Sequence, residues 1–278
     1  MSVQTFEALN KRMSFNSTQK YRFQNSQSGV KGEFGFADDL ALQTFPHQSI
    51  YDSEFETGLC PQLDFIVITS KVIHLYDVKN FDGIYYYENG HFRSTKKKIY
   101  SPLTQLDRAY DVLDILLQQK NIQLPIVKKL VFVNPNFTLY GNRPDLPIIL
   151  PSQLNQHFND ITHSSFELQD YHYQITEYIE SRKIRKKSYD TKIDYSYDSL
   201  TKGVWCGQCE CQLMKSGRRH FFCPKCRRFE SKSSAVLRSL KEFSLLFPGK
   251  ETNPQQLQDW CGNSVSTVLT REIIQKFQ

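Results

Sequence analysis

The stretch that decides the fold is Gln62-Leu63-Asp64-Phe65-Ile66-Val67-Ile68-Thr69-Ser70-Lys71-Val72-Ile73-His74-Leu75-Tyr76-Asp77-Val78-Lys79. It holds two short apolar runs, Asp64 to Ile68 and Val72 to Lys79, both rich in β-branched and aromatic residues and both reading as strands. Side chains alternate along a strand, so Asp77 and Lys79 project from one face. Pairing the runs as a hairpin sets Asp64, at the start of one, beside Asp77, near the end of the other. Aspartate is disfavoured in strands, so two of them in apolar strands call for a reason. Two carboxylates beside an ammonium can hold a hard divalent cation and activate water against a phosphodiester. The competing reading is structural, with the two aspartates as solubilising charges at strand edges and Lys79 as their surface partner.

Signals on either side complete an α/β order. A helix is predicted over Gly32–Leu42 from the spacing of Phe36 and Leu40, with Glu33 in its first turn, where a carboxylate suits the helix dipole. Ser49–Phe55 reads as a strand. Ile84 to Tyr87 is another, ending at the hairpin signal Asn89-Gly90. Pro102 opens a helix through Gln119 with Leu103, Leu106, Tyr110, Leu113 and Leu117 as its apolar stripe, and Ile126–Val133 closes the core as its last strand. The order predicts a mixed sheet flanked by helices.

Gly32-Glu33, Gln62-Leu63-Asp64, Asp77-Val78-Lys79 and Gln105 together resemble the NERD domain, the nuclease-related domain of the PD-(D/E)xK nuclease superfamily. The resemblance spans roughly residues 28–135 and implies a restriction-endonuclease-like fold. It implies catalytic roles for Glu33, Asp64, Asp77, Lys79 and Gln105, with Asp64 and Asp77 as Mg²⁺ or Mn²⁺ ligands. Glu33 matches the first-helix glutamate, and Gln105 the glutamine of the following helix. At Asp77 the family more often carries glutamate, which is one methylene longer. The implied activity is metal-dependent hydrolysis of DNA phosphodiester bonds, with DNA favoured over RNA. The alternative is a degenerate nuclease fold that serves as a DNA-binding or regulatory module.

The strongest local signal lies further on. Cys206-Gly207-Gln208-Cys209 and Cys223-Pro224-Lys225-Cys226 are two CxxC knuckles separated by 13 residues, the pattern of a four-cysteine zinc ribbon. Cys211 is a spare that could replace Cys209, although the CxxC spacing favours Cys209. Four thiolates leave no open position for substrate, so this zinc is structural. Free thiols or a redox pair are the competing reading. Cys60 and Cys261 read as ordinary buried thiols.

The ribbon is basic. Residues 215–228 hold two lysines and four arginines, and Arg218, Arg219, Arg227 and Arg228, interleaved with Phe221, Phe222 and Phe229, suit contacts to nucleic-acid phosphates with stacking beneath. A solvated surface whose aromatics cover the zinc is the other reading. The run Arg182–Lys187 fits a solvated helix end or a backbone clamp equally well.

The sequence divides into an N-terminal arm (1–27), a nuclease-like domain with a helical extension (28–185), a linker (186–203), the ribbon (204–230) and a C-terminal helical module (231–278). The last reads as packed helices, and its outline, with a turn at Cys261-Gly262, also fits a helix-turn-helix. The 278 residues carry 39% hydrophobic and 13% aromatic residues, enough for a packed core, and a net charge of +6 that suits a polyanionic partner. The start lacks the apolar segment of a signal peptide, and no run nears the about 20 apolar residues of a membrane helix. The expected location is the cytoplasm, where seven cysteines serve as ligands and thiols rather than disulfides. No phosphate-binding Gly-rich loop and no nucleophile elbow is present, which disfavours an ATPase or a serine hydrolase.

Overall fold

The apolar runs around Asp64 and Asp77 are continuous rather than alternating, which is the pattern of strands covered on both faces. A computed structural model describes residues 2–56, 62–94, 99–184 and 193–277, so Cys60 and the basic run beyond Ile184 lie outside the described residues. The N-terminal elements are α1 (Val3–Arg12), α2 (Ser17–Ala41), β1 (Gln48–Ser53), β2 (Leu63–Ile68) and β3 (Ile73–Lys79). The chain continues through β4 (Gly83–Glu88), β5 (His91–Ser94), α3 (Pro102–Gln119), β6 (Ile126–Phe132), β7 (Phe137–Tyr140) and β8 (Ile148–Ile149). Then come α4 (Leu154–Ser164) and α5 (Asp170–Ser181). The last are β9 (Met214–Ser216), β10 (His220–Phe222), β11 (Phe229–Ser231), α6 (Lys232–Leu246), α7 (Pro254–Trp260) and α8 (Thr267–Phe277).

The chain forms two compact units, residues 25–187 and residues 1–24 with 188–278. The first is a three-layer α/β/α arrangement. Its five-stranded sheet has the order β1-β2-β3-β6-β8, antiparallel from β1 to β3 and parallel from β3 to β8. One face carries Ile66, Ile68, Ile73 and Leu75 against α3 and α5, through Leu106, Leu113, Leu117, Ile175 and Ile179. The other carries Phe65, Val67, Tyr76 and Val78 against α2 and α4, through Phe36, Leu40, Leu154 and Phe158. Both faces are buried, which explains the unbroken apolar runs. Burial of one such side chain contributes about 1.5–3 kcal/mol.

The predicted α/β class, the β2–β3 hairpin and the helix over Pro102–Gln119 are all present. Three local expectations need correction. α2 starts at Ser17 rather than Gly32, so Glu33 sits far from the helix N-terminus and the dipole argument for it fails. The polar stretch before Gly32 carries no apolar period, yet it holds no proline, and Phe23 anchors it by packing on Phe6 and Phe15. The strand at Ile84–Tyr87 leaves the main sheet: β4 pairs with β5 and β7 in a separate three-stranded sheet. Its hairpin is closed by Asn89 (φ 49°) and Gly90 (φ 81°), both in the left-handed region that this turn type requires. The main sheet does not end at β6 either, because the two-residue β8 pairs with Leu130 and Val131.

The second unit wraps one apolar core. Phe6 and Leu9 of α1, Phe15 and Phe23, Ile193 and Leu200, Val204 and Phe221 of the cysteine module, and Val236, Phe243, Leu257 and Trp260 of α6 and α7 all belong to it. Segments that read in sequence as arm, linker, ribbon and helical module thus share a single core. Arg12 is buried at its centre. Its guanidinium lies 3.6 Å above Trp260 and 4.2 Å from Trp205, with Nε on Glu242 at 2.5 Å and Nη1 on the Thr201 carbonyl at 2.9 Å. Among the described residues no helix is long and apolar enough to cross a membrane.

Candidate active site and cysteine cluster

Strand register places the acidic cluster. Phe65 faces Tyr76 across the antiparallel β2–β3 pair, so Asp64 and Asp77, one step further, lie opposite each other. Both aspartates are buried, at 7% and 4% exposure, which is costly for carboxylates unless they are partnered. Asp64 Oδ2 accepts a hydrogen bond from the Val78 amide at 2.8 Å. Lys79 Nζ stands 2.5 Å from Asp77 Oδ1 as an ion pair. Lys79 is the partner of Asp77 Oδ1, and among the described residues no backbone amide or uncharged side chain donates to that buried oxygen.

Glu33 reaches this cluster from α2. A Cβ on Gly32 would stand 2.6 Å from Asn80 Cβ and 3.2 Å from Val133 Cγ2, so only glycine lets the helix lie this close to the ends of β3 and β6. Ser28 and Asn80 exchange side-chain-to-carbonyl hydrogen bonds of 3.1 and 2.8 Å and fix the approach. Glu33 therefore adds its negative field to both Asp77 and Lys79.

The electrostatics follow from burial and crowding. Burial, then the neighbouring Asp77, pushes the Asp64 carboxyl up to about 7. Asp77 is raised by burial and by Glu33, against the pull of Lys79. Burial opposes the charge on Lys79, but Asp77, Asp64 and Glu33 outweigh it and hold the ammonium above its ordinary range. The cluster is a buried concentration of oxygen donors with one fixed cation, short of positive charge.

Glu33, Asp64, Asp77 and Lys79 are thus brought together. Gln105 is not: it lies on the exposed side of α3, and among the described residues it makes no hydrogen bond to the cluster. Sequence reading passed over Asn80 and Ser28, which set the α2 approach, and Asp52, whose charge also raises Asp64 and whose Oδ1 accepts from Gln62 at 2.8 Å. The one available signal was the position of Asn80, immediately after the Asp77-Val78-Lys79 strand end.

Cys206, Cys209, Cys223 and Cys226 converge with all four sulfurs within 4.8 Å of one another. Cys206 and Cys226 sulfurs are 3.7 Å apart, and those of Cys209 and Cys223 are 3.3 Å apart. A tetrahedral ion bound at about 2.3 Å per sulfur needs sulfurs separated by about 3.8 Å, so the set could hold one. Cys211 stays outside, its thiol directed at the Gln212 carbonyl. β9, β10 and β11 form a small antiparallel sheet around the cluster. Arg218 and Arg219 lie in the β9–β10 turn, whereas Arg227 and Arg228 follow the second knuckle at the other end of β10, where Arg228 bonds Gln208. The four arginines therefore form two groups.

With this geometry in hand, the chain can be set beside known families. Residues 28–133 match the model of the nuclease-related domain, NERD. The NERD segment runs from within α2 to just past β6 and contains Glu33, Asp64, Asp77, Lys79 and Gln105. No curated protein and no solved structure matches the chain.

Proposed function

We propose that the NERD segment is a metal-dependent nuclease that hydrolyses DNA phosphodiester bonds, and that Asp64 and Asp77 hold Mg²⁺ or Mn²⁺. The observation that supports this most is the buried Asp64–Asp77 pair, two adjacent carboxylates with a single ammonium, that of Lys79, beside them. Hard oxygen atoms crowded in a dry site fit a hard cation, which supplies Lewis acidity toward the phosphate and a more acidic bound water. Lys79, kept protonated by its acidic neighbours, stabilises the negative charge that grows on phosphorus and orients the attacking water. Glu33 completes the acidic set from α2. Gln105 would steady the scissile strand, a role that requires the substrate to approach the exposed side of α3.

The four-cysteine cluster is read as a structural zinc site, and Arg218, Arg219, Arg227 and Arg228 as part of the grip on nucleic acid. The test is cleavage of supercoiled and single-stranded DNA by zinc-loaded protein with Mg²⁺ or Mn²⁺, beside Asp77→Ala. Cutting by the wild type alone supports the reading. DNA bound but uncut by both proteins refutes it and favours a degenerate fold that binds without cutting.

A further inference from the structure

α6, α7 and α8 pack on one another around Val236, Leu240, Leu257, Trp260 and Ile273. The turn between α7 and α8 is tightly specified. Gly262 (φ 64°) and Asn263 (φ 53°) are both left-handed, and Gln258 Nε2 bonds the Val265 carbonyl at 2.9 Å. Thr270 Oγ1 ties α8 back to the Pro254 carbonyl at the start of α7 at 2.9 Å. Two short helices locked across a tight turn, on a third helix, leave one face of α8 in solvent. Val268, 61% exposed, lies there with the exposed Arg271 and Glu272.

Beside that face is an open groove of about 990 Å³, lined on its far side by the β9–β10 turn. Lys215, Arg218, Arg219 and Lys232 line it, against a single carboxylate, Glu272. Lys215 donates to the Asn263 carbonyl at 3.1 Å and Lys232 to the Gly217 carbonyl at 3.0 Å, so both walls are braced. Arg218 and Arg219 pair with no carboxylate among the described residues. The groove therefore joins an α8 wall of Val268, Leu269 and Glu272 to a cationic rim, with Arg271 exposed on α8 just outside it. The rim suits phosphates, and the helix face suits base edges, with Val268 against a thymine methyl and Arg271 against guanine.

We propose that α8 is a recognition helix that enters the major groove of duplex DNA while the Arg218–Arg219 turn clamps the adjacent phosphate backbone. The clamp deepens the grip proposed above; the recognition helix goes beyond it. B-form DNA is the occupant because its major groove admits an α-helix, whereas that of A-form RNA is too deep and narrow for side chains to read.

The test uses the full, zinc-loaded chain without added Mg²⁺ and a fluorescent random-sequence DNA duplex, titrated over a range of salt. The wild type should prefer duplex DNA to double-stranded RNA and to single-stranded DNA. Replacing both Arg218 and Arg219 by alanine should flatten the log–log salt slope by about 1.8, at about 0.9 per phosphate contact. Val268→Glu, a surface change, should weaken duplex binding by about tenfold or more with an unchanged melting temperature. Lys241→Ala, exposed on α6 outside the groove, should bind as wild type. Equal competition by double-stranded RNA, preference for single strands, an unchanged salt slope or full binding by Val268→Glu would each overturn the proposal. No arm requires cleavage, so the fate of the nuclease reading is decided separately.

Discussion

Two glycines of α2, three residues apart, make opposite predictions. Gly32→Ala sets a Cβ 2.6 Å from Asn80 Cβ, and Gly35→Ala sets one in open space. Carbon atoms rest about 3.5–4.0 Å apart, so α2 must move by about 1 Å at Gly32. Neither Cβ can rotate away. Both substitutions gain about 1 kcal/mol of helix propensity, so comparing them cancels that gain. What remains is the overpacking penalty at Gly32, about 1–3 kcal/mol. Gly35→Ala should therefore melt higher than wild type, and Gly32→Ala should melt below Gly35→Ala by roughly 2–4 °C per kcal/mol. The same displacement carries Glu33 away from Asp77 and Lys79, and an error of about 1 Å in a catalytic constellation can cost about 100-fold in rate. Thermal melts and Mg²⁺-dependent cleavage rates on the two variants check both halves. Equal stabilisation by both alanines with wild-type cutting would refute the close approach and the positioning of Glu33 together.

The remaining predictions address other parts of the molecule. On the proposed zinc site, Cys209→Ser should purify without the metal while Cys211→Ser retains it, read by metal analysis of reduced protein; retention by Cys209→Ser would remove Cys209 from the ligand set. Arg12→Met strands Glu242 and three backbone carbonyls that the guanidinium serves, and should cost about 3–5 kcal/mol in denaturant melts. Arg12→Lys should not restore it, because an ammonium cannot stack between two indoles and bond several carbonyls at once. His74 is depressed to about 4 by burial, then by His157 and Lys129, and His157 is also depressed to about 4 by burial and Lys129, against Asp160. A folded value below the unfolded one favours the neutral ring, so this stability is full above about pH 6.5 and is lost as pH falls toward 4. For His74 alone the loss is about 2 kcal/mol by pH 5, and His74→Leu should flatten that slope in melts taken across this range.

The α/β core was legible because each decisive strand carries a local signature. Apolar continuity from Phe65 to Ile68 and from Val72 to Tyr76 demands cover on both faces, and Pro102 marks a helix start within its own sequence. The CxxC pairs were legible for the same reason: spacing within each knuckle sets which sulfurs can meet, and Cys211 falls outside. What the sequence hid is what depends on distant partners. The polar run Ser17–Gln27 is helical because Phe23 finds Phe6 and Phe15, not because of a period of its own. β4 leaves the main sheet because β7, more than 40 residues further on, offers it a parallel edge. Glu33 was found by motif, but its placement depends on a glycine contact that no periodicity reveals. Gln105 shows the converse, a motif position that helical geometry leaves on an exposed face.

The discontinuous make-up of the second unit bears on the order in which the chain matures. Arg12 emerges from synthesis 181 positions ahead of Ile193, the first described residue of the later half of that core. At about 5–20 residues per second the early helix waits on the order of 10–40 s for its partners. The intervening 25–187 unit has its own cores and can close in that interval. Meanwhile Phe6, Phe15 and Phe23, whose ring centres lie 5.9–6.2 Å apart, are near enough in sequence to shelter one another. The α1 side of this core is thus made well before the residues that enclose it. A chain whose later half fails to close this core would carry a finished 25–187 unit and a small aromatic cluster with only its own rings for cover, a ready target for chaperones and proteases.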